Sequence, residues 1–146
     1  MKFGVVFPHL EIGQDSAAVK DFVQAVEGLG YDYLLTYEEI TETNPEQKTR
    51  WRAPIPLLSF MAGITVKLGL VTGIIVLPSR QTVLVAKQTA ELDLLSGGRL
   101  RLGFSVGWNE KEYAAMGAGF KDRGQRIEEQ VAVLRRLWTE ERVKFN

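Results

Sequence analysis

The chain has 146 residues, 45% of them apolar and 25% charged, the make-up of one ordinary globular domain. Its 18 Lys and Arg balance 18 Asp and Glu, so no net field draws it to nucleic acid or an anionic membrane, and the absence of Cys removes disulfides, thiolate catalysis and sulfur-ligated metals. A single histidine excludes a histidine metal cluster, no apolar run is long enough to span a membrane, and no signal peptide is visible. A cytoplasmic protein without a metal is the expectation.

Phe3 to Phe7 is a short, nearly continuous apolar run closed by Pro8, the pattern of a strand buried on both faces. Asp15 or Ser16 can cap the helix that follows. Val19, Phe22, Val23, Val26 and Leu29 recur at helical spacing along it, and Gly30 stands at its C-terminal stop. A second strand is expected around Tyr33 to Tyr37. The polar stretch from Glu38 to Arg52, with Pro45 inside it, predicts a long loop of the kind that more often serves function than connection.

Pro54 to Ile64 predicts a short helix, with Pro56 tolerated only in its first turn. Leu68 to Val76, rich in β-branched residues, predicts the third strand. Thr82 is the expected N-cap of a helix that reaches Leu95 and ends at Gly97-Gly98. Leu100 to Val106 predicts a fourth strand, and a glycine-bearing loop from Gly107 to Gly119 leads to the last helix, Asp122 to about Thr139. Ile127, Val131, Leu134 and Trp138 share one face of that helix. Val143 to Phe145 reads as the start of a further strand.

The order is strand–helix four times over, in units of roughly 35 residues, with no interdomain linker, so residues 1–146 read as one domain. Parallel strands joined by helical crossovers need helices outside the sheet. A doubly wound sheet and a (β/α) barrel both satisfy that order.

Several segments carry a resemblance that chooses between them: Leu77 to Gln88 (LPSRQTVLVAKQ), Leu92 to Arg99 (LDLLSGGR), Gly107 to Tyr113 (GWNEKEY), Arg123-Gly124, and Leu134 to Thr139 (LRRLWT). Together they make the chain similar to the luciferase-like monooxygenase superfamily, and most like its branch using the deazaflavin coenzyme F-420, with FMN users close behind. The resemblance implies an α/β fold, a (β/α)8 TIM barrel of which four βα units are present as an N-terminal half-barrel. A whole barrel takes about 250 residues. It also implies F-420 or FMN as cofactor, and hydride transfer or monooxygenation on a small organic substrate. Four units leave open sheet edges at the first and fourth strands, which invite a homodimer or a missing C-terminal half. The alternative is a truncated, non-catalytic flavin-binding or interaction module.

Site residues follow from the same resemblance, at the C-terminal ends of the strands where such barrels bind ligands. Gly73-Ile74 aligns with a non-proline cis peptide that backs the isoalloxazine ring, a bond costing about 3–4 kcal/mol; the plainer reading is that Gly73 relaxes a crowded strand end. Thr72, Gly73, Ile74 and Val76, with Gly107 and Trp108 after the fourth strand, are the expected cofactor contacts. Glu38 and Glu39 align with an acidic residue followed by a histidine that takes part in proton transfer in deazaflavin-dependent relatives. Here Glu39 replaces the histidine, and a carboxylate serves as a base only when its pKa is raised. Trp108 stands where the F-420-dependent glucose-6-phosphate dehydrogenases carry a catalytic glutamate, which argues against that reaction. His9, as a lone exposed histidine, and Trp51 are candidate substrate contacts. Arg50 and Arg52 flank the pocket mouth, and Arg80 is a candidate partner for a cofactor phosphate.

Overall fold

The computed structural model describes residues 1–41 and 51–144. Four parallel strands form a sheet in the order β1 (Gly4–Val6), β2 (Tyr33–Thr36), β3 (Gly69–Thr72) and β5 (Leu100–Arg101). A second two-stranded parallel ladder joins β4 (Ile75–Val76) to β6 (Phe104–Ser105). The connections are α1 (Ser16–Gly28), α2 (Pro54–Ile64), α3 (Thr82–Ser96), the short α4 (Glu110–Ala115) and α5 (Arg123–Thr139).

Each helix forms where its sequence allows a start and a stop. The Asp15 carboxylate accepts the Ala17 N–H at 2.9 Å and so caps α1. Pro54 opens α2, where a missing N–H costs nothing, and Pro56 stays within the first turn. Gly97, at φ +70°, closes α3 in the left-handed conformation that glycine adopts without a Cβ penalty. Thr82 is already helical, and Gln81 precedes it as a cap without a side-chain bond, so the expected Thr82 cap is displaced by one residue.

The helices cover one face of the sheet. Val19, Val23 and Val26 of α1 and Leu57, Leu58 and Met61 of α2 are buried against Leu34 and Leu70. Residues alternating with these along the strands look the other way: Val6 is 45% exposed, and Leu35 and Val71 are half-buried. One face of the sheet is therefore packed and the concave one open, with β1 and β5 as free edges. Such an arrangement is half of a closed barrel.

Arg99, immediately before β5, pins the lower end of this assembly. Its guanidinium donates to the carbonyls of Ala62, Thr65 and Leu68 and to Thr65 Oγ1, taking up carbonyls that the end of α2 leaves without helical partners. Glu27 ties α1 to the same corner by accepting the N–H groups of Val66, Lys67 and Leu68 at 2.7–2.9 Å.

Two boundaries differ from expectation. The third and fourth strands are each interrupted, at Gly73-Ile74 and at Leu102-Gly103, for a reason given below. No strand forms at Val143-Lys144, and Phe145 lies outside the described residues.

Candidate functional site

The two interruptions lie side by side and are joined through one hydroxyl. Thr72 Oγ1 accepts the Gly103 N–H at 2.7 Å and donates to the Gly103 carbonyl at 2.8 Å, standing in for ladder bonds that the backbone does not make there. A Cβ on Gly103 would come within 2.4 Å of the Thr72 carbonyl oxygen, so only glycine allows this approach. Past the break, Gly73 donates to Thr36 O at 2.8 Å and Ile75 to Gly103 O at 3.0 Å, and pairing resumes as the β4–β6 ladder.

Above that step opens a cleft of about 480 Å3 between the ends of the strands, floored by Gly73, Ile74, Val76 and Ser105. Tyr37 and Trp51 wall it on one side, and Gly107 and Trp108 on the other. Trp108 is 75% exposed, so its indole stands at the rim with a free face. Gly107 has φ +66°, and a Cβ there would meet Val76 Cγ1 at 2.7 Å; both facts demand glycine.

Two carboxylates build the walls rather than facing the cleft as free bases. The Glu38 side chain, 1% exposed, accepts the Val76 N–H at 2.7 Å with one oxygen and pairs with the Arg80 guanidinium through the other. It thereby ties the segment after β2 to the end of β4. Glu112 of α4, also buried, accepts the N–H groups of Ile40 at 3.1 Å and Thr41 at 3.3 Å. That bond holds the segment after β2 down on α4.

Across the cleft, His9 is buried against Phe7, Thr36 and Trp51. Burial, reinforced by the Arg52 charge and only partly offset by Glu11, lowers its pKa from the usual 6.5 to about 4. The imidazole is therefore neutral at ordinary pH.

Comparison with known proteins identifies the family. The model of the luciferase-like monooxygenases matches residues 1–146, the whole chain. The chain belongs to the luciferase-like monooxygenase family. Among curated relatives, it is 29% identical over 136 residues to the pyrimidine monooxygenase RutA of Stutzerimonas stutzeri, covering 86% of this chain and 37% of that protein. A shorter match, 44% identical over 66 residues, reaches the F-420-dependent glucose-6-phosphate dehydrogenase of Intrasporangium calvum and covers 42% of this chain and 20% of that one. The solved structure of the monooxygenase RslO1 from Streptomyces bottropensis superposes with a TM-score of 0.83 at 28% identity, covering all of this chain and 45% of that one. The chain thus spans less than half the length of these luciferase-like relatives.

The luciferase-like half-barrel gathers most of the expected site residues but changes several roles. Glu38, Glu39, Trp51, Gly73, Ile74, Val76, Gly107 and Trp108 all line one cleft. Thr72 does not: it is 1% exposed and its hydroxyl is spent on Gly103, so it shapes the floor from behind. Gly73 earns its place on the wall side, where an added Cβ would meet the Leu35 side chain at 2.5 Å. The expected cis peptide is absent, since every peptide bond among the described residues is trans; the hydrogen bonds of Gly73 and Ile75 carry the chain across the break in that form. Arg80 is committed to Glu38 rather than turned outward to a phosphate. His9 is enclosed, not exposed, because Trp51 and Arg52 fold back over it. Arg50 lies outside the described residues.

Glu112 was not legible as a site residue. It belongs to the Gly107–Tyr113 segment that carries the resemblance, but nothing in the sequence pairs it with backbone groups over seventy residues away. Among the described residues no cluster of acidic or histidine side chains is arranged to hold a metal, and no helix is long and apolar enough to cross a membrane.

Proposed function

We propose that this chain supplies the ring-binding wall of a flavin- or deazaflavin-dependent oxidoreductase that transfers hydride to, or oxygenates, a small organic substrate. The observation that carries the reading is the shape and chemistry of the cleft. Its volume falls in the range of about 300–1,000 Å3 that suits small-molecule sites. Its floor is apolar, through Ile74 and Val76, and its rims are indoles at Trp51 and Trp108. A flat, largely uncharged tricyclic ring fits such a slot by apolar contact and stacking.

The described lining includes Glu38, Glu39 and Glu112 but no Lys or Arg. The cleft therefore suits the ring of FMN or coenzyme F-420 and not its phosphate. The phosphate must be met by groups outside this cleft. When bound, the cofactor ring supplies the two-electron chemistry. The chain's own residues hold it against the Ile74–Val76 ridge, exclude water from one face, and place the Glu39 carboxylate in the cleft lining, where proton handling is needed. Glu38, with both oxygens engaged, acts by holding the wall in place.

The free edges at β1 and β5 and the open concave face favour a closed eight-stranded arrangement as the working form. The second set of four strands comes from further sequence or from a second copy of this half. A non-catalytic ring-binding module remains the second reading, favoured by Glu39 standing where a histidine is expected. Titration with FMN and with F-420, followed by flavin fluorescence and by Trp emission, tests the binding claim; no saturable binding at tens of micromolar cofactor refutes it for this chain. Turnover with an external reductant then separates the enzyme from the module, and sedimentation separates the paired half-barrel from a monomer.

A further inference from the structure

The chain's single histidine is 6% exposed, yet it sits directly behind a residue that lines the cleft. His9 Nδ1 accepts the backbone N–H of Arg52 at 3.4 Å, and Nε2 lies 2.8 Å from Thr36 Oγ1. Because a backbone N–H can only donate, Nδ1 carries no proton, and the neutral ring must hold its hydrogen on Nε2. That hydrogen goes to the Thr36 hydroxyl, which in turn donates to the Tyr37 carbonyl at 3.4 Å. Both nitrogens are thus used inside the chain, and neither is left for a ligand. The faces of the ring are used as well. Phe7 packs edge-on at 4.9 Å between centroids, and the Trp51 indole lies at 4.8 Å, tilted by 40°.

We propose that His9 is a positioning residue, whose neutral imidazole clips the Trp51–Arg52 segment to the ends of β1 and β2 and so fixes the Trp51 indole as one wall of the cleft. The functional part of this inference rests on the cleft being the ring site proposed above. Arg52 is tied a second time, its guanidinium donating to the Gly13 carbonyl at 2.8 Å, so the segment is held on both sides of the α1 entry loop. The charged groups facing the imidazole are Arg52, which opposes its protonation, and Glu11, which favours it; burial, the largest effect, acts with Arg52 and together they outweigh Glu11. The clip therefore stays neutral, and intact, well below neutral pH. A protonated ring would place a hydrogen on Nδ1 facing the Arg52 N–H and push the segment off.

With one histidine, 15N labelling of that residue reports the clip without assignment. The expected spectrum is the Nε2–H tautomer with an unprotonated Nδ1, titrating near pH 4; an Nδ1–H tautomer, or titration near pH 6.5, overturns the proposal. Two substitutions separate the two bonds. His9→Asn sets an amide oxygen near the place of Nδ1 and keeps an acceptor for Arg52, whereas His9→Gln reaches the place of Nε2 and keeps only the Thr36 partner. With FMN as the probe, His9→Asn is expected to bind close to the parent chain and His9→Gln about tenfold more weakly, equivalent to about 1.4 kcal/mol. The Arg52 amide should exchange faster with solvent only in His9→Gln. Equal exchange and equal affinity in both variants would overturn the clip. If the parent chain fails to bind FMN, the ring-site reading falls, while the tautomer and the Arg52 exchange still decide whether His9 holds the segment.

Discussion

Removing the Thr72 hydroxyl isolates the feature that creates the cleft floor. Thr72→Val keeps the side-chain volume and β-branching but deletes both bonds to Gly103, at 2.7 and 2.8 Å. Thr72 is 1% exposed, so a valine there meets no steric or solvation difficulty of its own. The loss falls on Gly103, whose N–H loses its partner while its carbonyl keeps the Ile75 N–H. An intramolecular hydrogen bond contributes about 0.5–1.5 kcal/mol net, and an abandoned buried polar group costs about 1–3 kcal/mol. Gly103 is half-buried, so water recovers part of this, and the expected loss is about 2 kcal/mol. Urea unfolding followed by far-UV circular dichroism reads it as a lower midpoint at unchanged slope. Thr72→Ser, which retains the hydroxyl, should keep most of the stability. A Thr72→Val chain as stable as the parent would refute the claim that this hydroxyl replaces the missing ladder bonds.

Arg80→Ala leaves the enclosed Glu38 carboxylate without its cation, and breaking a buried pair from one side costs about 3–5 kcal/mol; denaturant unfolding should show the loss, and Glu38→Gln combined with Arg80→Met should recover much of it. At Glu27 burial works to raise the pKa, but the N–H groups of Lys67, Leu68 and Val66 and the Arg99 charge together bring it below the ordinary carboxylate range. A lowered folded-state pKa means stability that is fully present above the unfolded carboxylate's pKa and lost as pH falls through the folded one. Thermal unfolding from pH 7 down to pH 3 should therefore show a flatter acid limb in Glu27→Gln than in the parent, with about 1 kcal/mol less stability near neutrality, because solvent screens this surface carboxylate.

The strand–helix rhythm was readable because it rests on local chemistry. The Asp15 cap, the prolines opening α2, the left-handed Gly97 and the valine spacing of α1 each act within a few residues. The cleft's membership was also largely readable, but through resemblance rather than pattern. What escaped was every role set by a partner distant in sequence. Glu38 and Arg80 are separated by 42 residues, Thr72 and Gly103 by 31, and Glu112 and Thr41 by 71. A carboxylate beside a strand end looks like a base until the backbone N–H that consumes it is known. His9 read as exposed because nothing local encloses it; its cover comes from Trp51 and Arg52, more than forty residues on.

The interrupted strands show the same limit. Leu68 to Val76 reads as one strand through its β-branched and apolar residues and Leu100 to Val106 through its alternating apolar positions, and only the facing positions of Gly73 and Gly103 reveal that both break at one level.

The central claim, that the Ile74–Val76 ridge receives a flavin ring, is most directly tested by methyl NMR of a chain labelled at Ile, Val and Leu and titrated with FMN. The prediction is a saturable ring-current displacement of the Ile74 and Val76 methyls, while the exposed Leu94 methyls in the separate groove between α3 and α5 stay unmoved. Displacement at Leu94 with none at Ile74 and Val76, or no displacement anywhere at saturating FMN, would contradict it.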